Sequence, residues 1–374
     1  MQQPPGTQAA REALAGTCSN CGGYLVWDPS GQGLRCIHCG TRTAIPPAPG
    51  RIERLPYERW AGAEASVLTE EVVTHTCTAC GATTSLSPGV TSGRCPFCDR
   101  PFVGEARSAR FFKPQALVPL MITEQRAVEL YRAWLGRLWF APSALRRTAS
   151  AGAFTSIYVP NWSFDCGTMT RYAGQRGVDR QEAYTDEETD SDGNTRTVTR
   201  YRTVTDWYPA SGTVSRDFSD LLIPASDTLS SKEGADLEPW DMGGLHAYRP
   251  EYVLGSLAES YSVDLPTGWG RATERMKPSI EGEVRSDIGG DHQRISRMDT
   301  AYDAIRFLHL LLPIWVAAYW FKNESYRVLV NGQTGEVHGR RPYSVVKIVL
   351  LVLVVVAVLC AIGVAVYLYD ARYR

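Results

Sequence analysis

The sequence predicts an α+β chain that ends in a membrane-spanning helix, and three observations predict it. Two cysteine quartets of identical spacing stand near the N-terminus, a long middle region mixes helix-period and strand-period stretches, and about 21 apolar residues run together near the C-terminus. At 374 residues, 44% hydrophobic and 21% charged, the chain has the composition of an ordinary globular protein and length for roughly two or three domains. Its formal net charge of −1 lacks the basic excess with which a dedicated nucleic-acid binder neutralises phosphates.

Eight of the ten cysteines fall in four CxxC pairs, while Cys166 and Cys360 stand alone. Pairs this close favour metal over disulfides. The N-terminal MQQPPGTQAAREALAG has no apolar signal stretch, which places this half in a reducing cytoplasm where thiolates persist. The first quartet is Cys18, Cys21, Cys36 and Cys39. The second is Cys77, Cys80, Cys95 and Cys98, offset by 59 residues, with 14 residues between the two pairs of each quartet. A CxxC turn presents two thiolates on one side of a tight knuckle, and two knuckles joined by a hairpin complete a tetrahedral cage. The intervening segments carry the turn formers DPSG and SPG between strand-forming residues. That is zinc-ribbon architecture, duplicated, with one Zn2+ ion expected in each ribbon; an S4 shell also accepts iron, but availability makes zinc the default.

Gly22, Gly40 and Gly81 follow the second cysteine of their knuckles, where a positive φ aims backbone N–H groups at sulfur, and Asp99 takes that place after Cys98. Four thiolates around a divalent ion leave a charge of −2, which Arg35 and Arg94, each just before a third cysteine, are expected to soften. His38 and His75 are expected at the surface because the cysteines fill the shell. Residues Met1–Arg110 hold ten Arg, no Lys and nine acidic residues, so phosphate recognition by the ribbons is disfavoured.

Composition divides the chain into a disordered lead-in (1–16), ribbon 1 (17–44), a linker with the stiff IPPAPG segment (45–73), ribbon 2 (74–104), a mixed α/β body (105–344), a transmembrane helix (345–369) and a short tail (370–374). Within the body, Ala127, Leu130, Tyr131, Trp134, Leu135 and Leu138 follow the amphipathic helical period from Thr123, and Pro142 closes that helix. A second helix is expected over Trp269–Ile288. Strand-like runs occupy Ala153–Val159, Asn161–Asp165, Thr195–Trp207 and Thr213–Phe218. Acidic Asp179–Asn194, ending in SDGN, suits a hairpin tip with solvated strands rather than a cation site.

YVPNWSFDC (Tyr158–Cys166) and LLPIWVAAY (Leu311–Tyr319) share an apolar-apolar-Pro-x-Trp pattern, so the body is expected to contain two related β units, each motif at the start of a buried strand. Phe307–Phe321 is apolar but too short for a span, and its continuation into NGQTGEV reads as a hairpin. Ile348–Leu368, in contrast, covers a hydrocarbon core of about 30 Å at about 1.5 Å per residue. Tyr343, Tyr367 and Tyr369 flank it. Arg340, Arg341 and Lys347 before it, against Arg372 and Arg374 after, favour a cytosolic N-terminal side and a single pass. Cys360 and Gly363 within it read as filler.

Neither GxxxxGK[ST] nor HExxH occurs, so helicase and metalloprotease chemistry lack their engines and no catalytic residue is expected. GWG (Gly268–Gly270) and GGDH (Gly289–His292) read as turns, and Trp207, Trp240 and Trp269 as packing.

With both quartets, YVPNWSFDC, LLIPAS (Leu221–Ser226), EPWD (Glu238–Asp241), DIGGDHQR, LLPIW, NGQTGEV and the terminal span in place, the chain resembles a bacterial family of zinc-ribbon membrane proteins. These are often labelled TFIIB-type zinc ribbon or primosomal-helicase-like. The resemblance implies the eight cysteines as ligands, no catalytic residues, the inner (cytoplasmic) membrane as location and, through some relatives, a link to phage-shock-type envelope stress. The function expected is a non-catalytic membrane-anchored scaffold with a protein partner and no small-molecule substrate. Its rivals are a nucleic-acid-processing accessory and an S4-iron redox or electron-transfer protein.

Overall fold

A computed structural model describes residues 16–46, 51–61, 69–78, 80–85, 92–98, 100–103, 107–138, 154–189, 195–321, 324–339 and 344–373. The lead-in before residue 16, the SPG turn, Asp99, Pro142, the SDGN tip, Arg340, Arg341 and Tyr343 lie outside them. The body comprises β1 (Ala116–Leu117), α1 (Glu124–Arg137), β2 (Thr155–Thr189), β3 (Thr195–Pro224), α2 (Leu265–Ile288), β4 (His292–Phe321), β5 (Glu324–Asn331) and β6 (Val337–Gly339); α3 (Val345–Tyr373) follows.

The α+β class holds, but the strands are far longer than the sequence runs suggest. The four expected runs fuse pairwise into β2, with 35 residues, and β3, with 30. At about 3.3 Å per residue they extend on the order of 100 Å. β3, β2 and β4 form an antiparallel sheet in that order. The free edge of β4 then takes successive partners: Leu55–Pro56 opposite Arg306–Phe307, β1 in parallel at Leu310–Leu311, and β5 from Ile314, with β6 beyond. The segment read as a linker is thus partly built into the body, where Arg54 also reaches Asp165 and Asp220.

The two Pro-x-Trp motifs sit inside β2 and β4 rather than at strand starts. They lie against each other, Tyr158 opposite Pro313 and Pro160 opposite Leu311, so a local two-fold axis passes the Val159–Leu312 pair. A proline is tolerated here because each lies at a seam where no ladder donor is needed. β3 ends opposite Asn161 and Leu257–Ala258 takes over at Tyr158; likewise β1 ends at Leu311 and β5 begins at Ile314. Each Trp indole also donates to a loop carbonyl, Trp162 to Val263 at 2.9 Å and Trp315 to Ile122 at 2.8 Å. The two motifs are therefore alike in structure as well as sequence.

Alternation along β2 and β4 builds two cores. Tyr158, Trp162, Phe164, Phe307, Leu311 and Trp315 face one side, where α1 and α2 pack; Ile157, Val159, Leu308, Leu310, Leu312 and Ile314 face the other. Phe307–Ala317 is buried strand, as expected. α1 starts at its Thr123 cap and buries Ala127, Tyr131 and Leu135. α2 begins at Leu265, earlier than expected, because Asp264 caps it by accepting from the Thr267 amide at 2.9 Å and Pro266 suits its first turn. GWG therefore lies in a helix, not a turn. A Cβ at Gly268 would stand 2.6 Å from Trp162 Cδ1, so this glycine lets α2 approach the sheet. GGDH does turn, with φ of 66° and 73° at Gly289 and Gly290.

Beyond the Gly177–His292 pair, β2 and β3 continue without β4 as a two-stranded ribbon. Its acidic residues meet cross-strand arginines, Arg180 with Asp206 (2.8 Å), Arg202 with Glu182 (2.6 Å) and Arg200 with Asp186 (3.0 Å). The acidic segment is a solvated hairpin strand through Thr189.

In α3, the 21 residues Val346–Val366 are apolar enough to cross a bilayer, and none is buried in protein.

Candidate metal centres

Each quartet converges. In ribbon 1, Cys18 Sγ lies 3.7 Å from Cys39 Sγ and Cys21 Sγ 3.5 Å from Cys36 Sγ; in ribbon 2, Cys77–Cys98 is 3.8 Å and Cys80–Cys95 3.6 Å. Within each group all four sulfurs lie within 4.8 Å of one another. Sulfurs at about 2.3 Å from a central tetrahedral zinc stand about 3.8 Å apart, whereas a disulfide needs about 2.05 Å. The donor sets therefore fit a tetrahedral divalent ion.

The knuckles follow from the glycines. Gly22, Gly40 and Gly81 adopt φ of 72°, 72° and 77°, and their amides close the turns on the carbonyls of Cys18, Cys36 and Cys77. Further amides aim at sulfur: Gly23 at Cys21, Cys39 and His38 at Cys36, Thr41 at Cys39, Ala82 at Cys80, Phe97 and Cys98 at Cys95. These donors answer the cage charge. Arg35 does not, since its guanidinium turns to Asp28 at 3.9 Å. Asn20 Nδ2 (3.7 Å) and the Thr41 hydroxyl (3.1 Å) also reach Cys39, and sequence reasoning missed both.

Crowded sulfurs divide the charge unequally. The Thr41 hydroxyl and amide hold Cys39 down to about 5, and a hydrogen bond from Cys95 holds Cys80 down to about 5. Cys21, despite the Gly23 amide, is pushed up to about 12 by its hydrogen bonds to Cys39 and Cys36. A divalent ion would replace those shared protons, so binding releases them.

The two ribbons differ in build. Ribbon 1 has the expected hairpin, Leu25–Asp28 on Gly33–Cys36, closed by the Asp28–Gly31 turn. In ribbon 2 the described strands on either side of residues 86–91 find other partners, Thr83–Ser85 on Thr74–Thr76 and Ser92–Arg94 on Pro101–Val103. Its sheet reaches from Thr69 to Phe112. His38 is exposed as expected, but His75 is buried in that sheet.

Each cage has a buried edge and a more open edge. Cys18 and Cys36, with Leu25, Trp27 and Leu34, join the core on the Trp315 face; Cys77 and Cys95, with Ala82 and Phe97, join the core on the Ile314 face. Trp27 Nε1 fastens ribbon 1 by donating to Leu120 O at 2.8 Å. The ribbons thus dock on opposite faces of one sheet. Elemental analysis of anaerobically purified protein should give about two zinc ions per chain; one or none would refute the paired sites, and visible absorbance after aerobic purification would assign iron.

No family model matches the chain. A curated relative, "Uncharacterized protein YdjG" of Bacillus subtilis (strain 168), is 24% identical over 333 residues, which cover 87% of this chain and 89% of the relative. The likeness therefore extends over most of both chains.

Proposed function

We propose that this chain is a non-catalytic, membrane-tethered platform on which cytosolic proteins assemble. The observation that carries this reading is the closure of both cages: four sulfurs complete each shell and leave no position for a reacting ligand, as in structural rather than catalytic zinc sites. The metals then act as staples that fix two loop-rich modules against opposite faces of the sheet. An apolar α3 with no protein cover supplies the tether, and the cation excess before it supports a cytosolic N-terminal side. A role in envelope stress at the bacterial inner membrane rests on the sequence resemblance alone.

A biotin ligase fused at the N-terminus tests the platform. It should label a defined set of cytosolic proteins that an anchor-only control, α3 with the ligase, does not label. The set should shrink when Cys36→Ser and Cys95→Ser remove both cages. Labelling identical to the anchor-only control would sink the proposal, and a steep loss of DNA binding with salt would favour the nucleic-acid accessory instead.

A further inference from the structure

Between Gln293 and Ile305, β4 pairs with β2 on one edge and with no strand on the other among the described residues. Such an edge presents a row of backbone donors and acceptors. From Arg306 onward the same edge is used by Leu55–Pro56, β1 and β5 in turn. Strand addition is therefore how this edge is completed wherever it is covered.

α2 runs beside the open stretch, and the two bound a cleft of about 530 Å³. Ile280, Ile295, Met298 and Tyr302 give it an apolar floor. Lys277, Arg285 and Arg297 line it against a single acid, Glu281. Arg285 already donates to the Gln293 carbonyl at 3.3 Å and Lys277 already pairs with Glu274 at 2.5 Å, while Arg297 has no acidic partner among the described residues. The β4 side chains directed away from the cleft include exposed Asp299 and Asp303. A ribbon added here would thus meet positive charge and apolar surface on the α2 side and negative charge on the other.

We propose that this cleft binds an extended segment of a partner protein by β-augmentation. Its α2-facing residues alternate between acidic and apolar, and its outward-facing residues are uncharged. Backbone pairing supplies affinity, the floor takes the apolar side chains, and the basic rim selects the acids. Irregularities in the register fall within the stretch near each of its ends, one between Ile295 and Arg297 and one between Asp303 and Arg306, with Ala304 at a φ of 47°. They interrupt the edge at both ends and so discourage unselective pairing with a second copy. The proposal rests on the platform reading and names the chemistry of one partner.

The probe is a fluorescent peptide of Glu-Thr-Ile-Thr repeats, titrated by anisotropy against the full chain in detergent, with a Lys-Thr-Ile-Thr peptide as control. The acidic peptide should bind at least about tenfold tighter, and less tightly as salt rises. Lys277→Glu with Arg297→Glu, both exposed and remote from the cages, should reverse the preference while metal content stays unchanged. Hydrogen exchange should show new protection at Gln293–Ile305. Equal binding of the two peptides, protection elsewhere, or no binding at about 1 mM peptide would each overturn the proposal. If the peptides fail while the N-terminal ligase still labels its set, the cleft assignment falls and the platform stands.

Discussion

Cys80→Ser is expected to release one of the two metal ions and to destabilise the body as well as the second ribbon. Cys80 is exposed, so the substitution removes a ligand without opening a cavity in the core. Structural zinc contributes on the order of 10 kcal/mol to its module, more than so small a unit holds otherwise. Once the cage opens, Cys77, Ala82, Cys95 and Phe97 leave the face built from Ile157, Leu310 and Ile314. Phe97 alone, buried to 2% exposure, stabilises by about 2–3 kcal/mol. At about 2–4 °C per kcal/mol the body should melt on the order of 10 °C lower. Ribbon 1 should keep its ion, because it packs on the opposite face and is linked to ribbon 2 only indirectly, through β2, β4 and the segment that bonds Trp27 at Leu254 and Thr83 at Ser260. Calorimetry and metal analysis read the two effects separately. Loss of both ions would mean that the sheet transmits the damage between faces, and an unchanged melting temperature would mean that ribbon 2 is not part of the core.

The cages were legible because their chemistry is local. Spacing, knuckle glycines and the Asp28–Gly31 turn are fixed by neighbours in sequence, and each appears where expected. α1 was legible for the same reason, since its cap and apolar face fall within four turns. The docking of the ribbons was not legible. Trp27 and Phe97 look like ordinary strand residues, and only the long-range register shows which sheet face each covers. Strand length was hidden too. Gly167, Gly174, Gly177, Pro160 and Pro209 break the sequence pattern of β2 and β3, yet in the sheet they accommodate crowding, seams and an open edge. GWG misled because a glycine inside a helix signals a close neighbour, here Trp162, that no local pattern reveals. The alternation of Asp264 and Pro266 at the start of α2 was a usable signal for its true beginning.

Deleting residues 344–374 is expected to move the protein from the membrane to the soluble fraction with both metal ions retained. The competing outcome would come from Phe307–Phe321, the other strongly apolar stretch. In the fold, however, Phe307–Ala317 is a strand with partners on both edges, β2 on one and Leu55–Pro56, β1 and β5 on the other. Both of its faces are covered, so its backbone groups and side chains are satisfied by protein and need no lipid. α3 is the opposite case, with a 21-residue span, Val346–Val366, that is apolar apart from Lys347 and has none of its residues buried in protein. In the full chain, a reporter at Met1 should be cytosolic and one after Arg374 periplasmic, because the cations before the helix hold that side inside. A truncated chain that is folded and metal-loaded yet still sediments with membranes would show a second attachment. Reporters on the same side would show that α3 does not cross, and the platform would then lie on the bilayer surface rather than hang from a span.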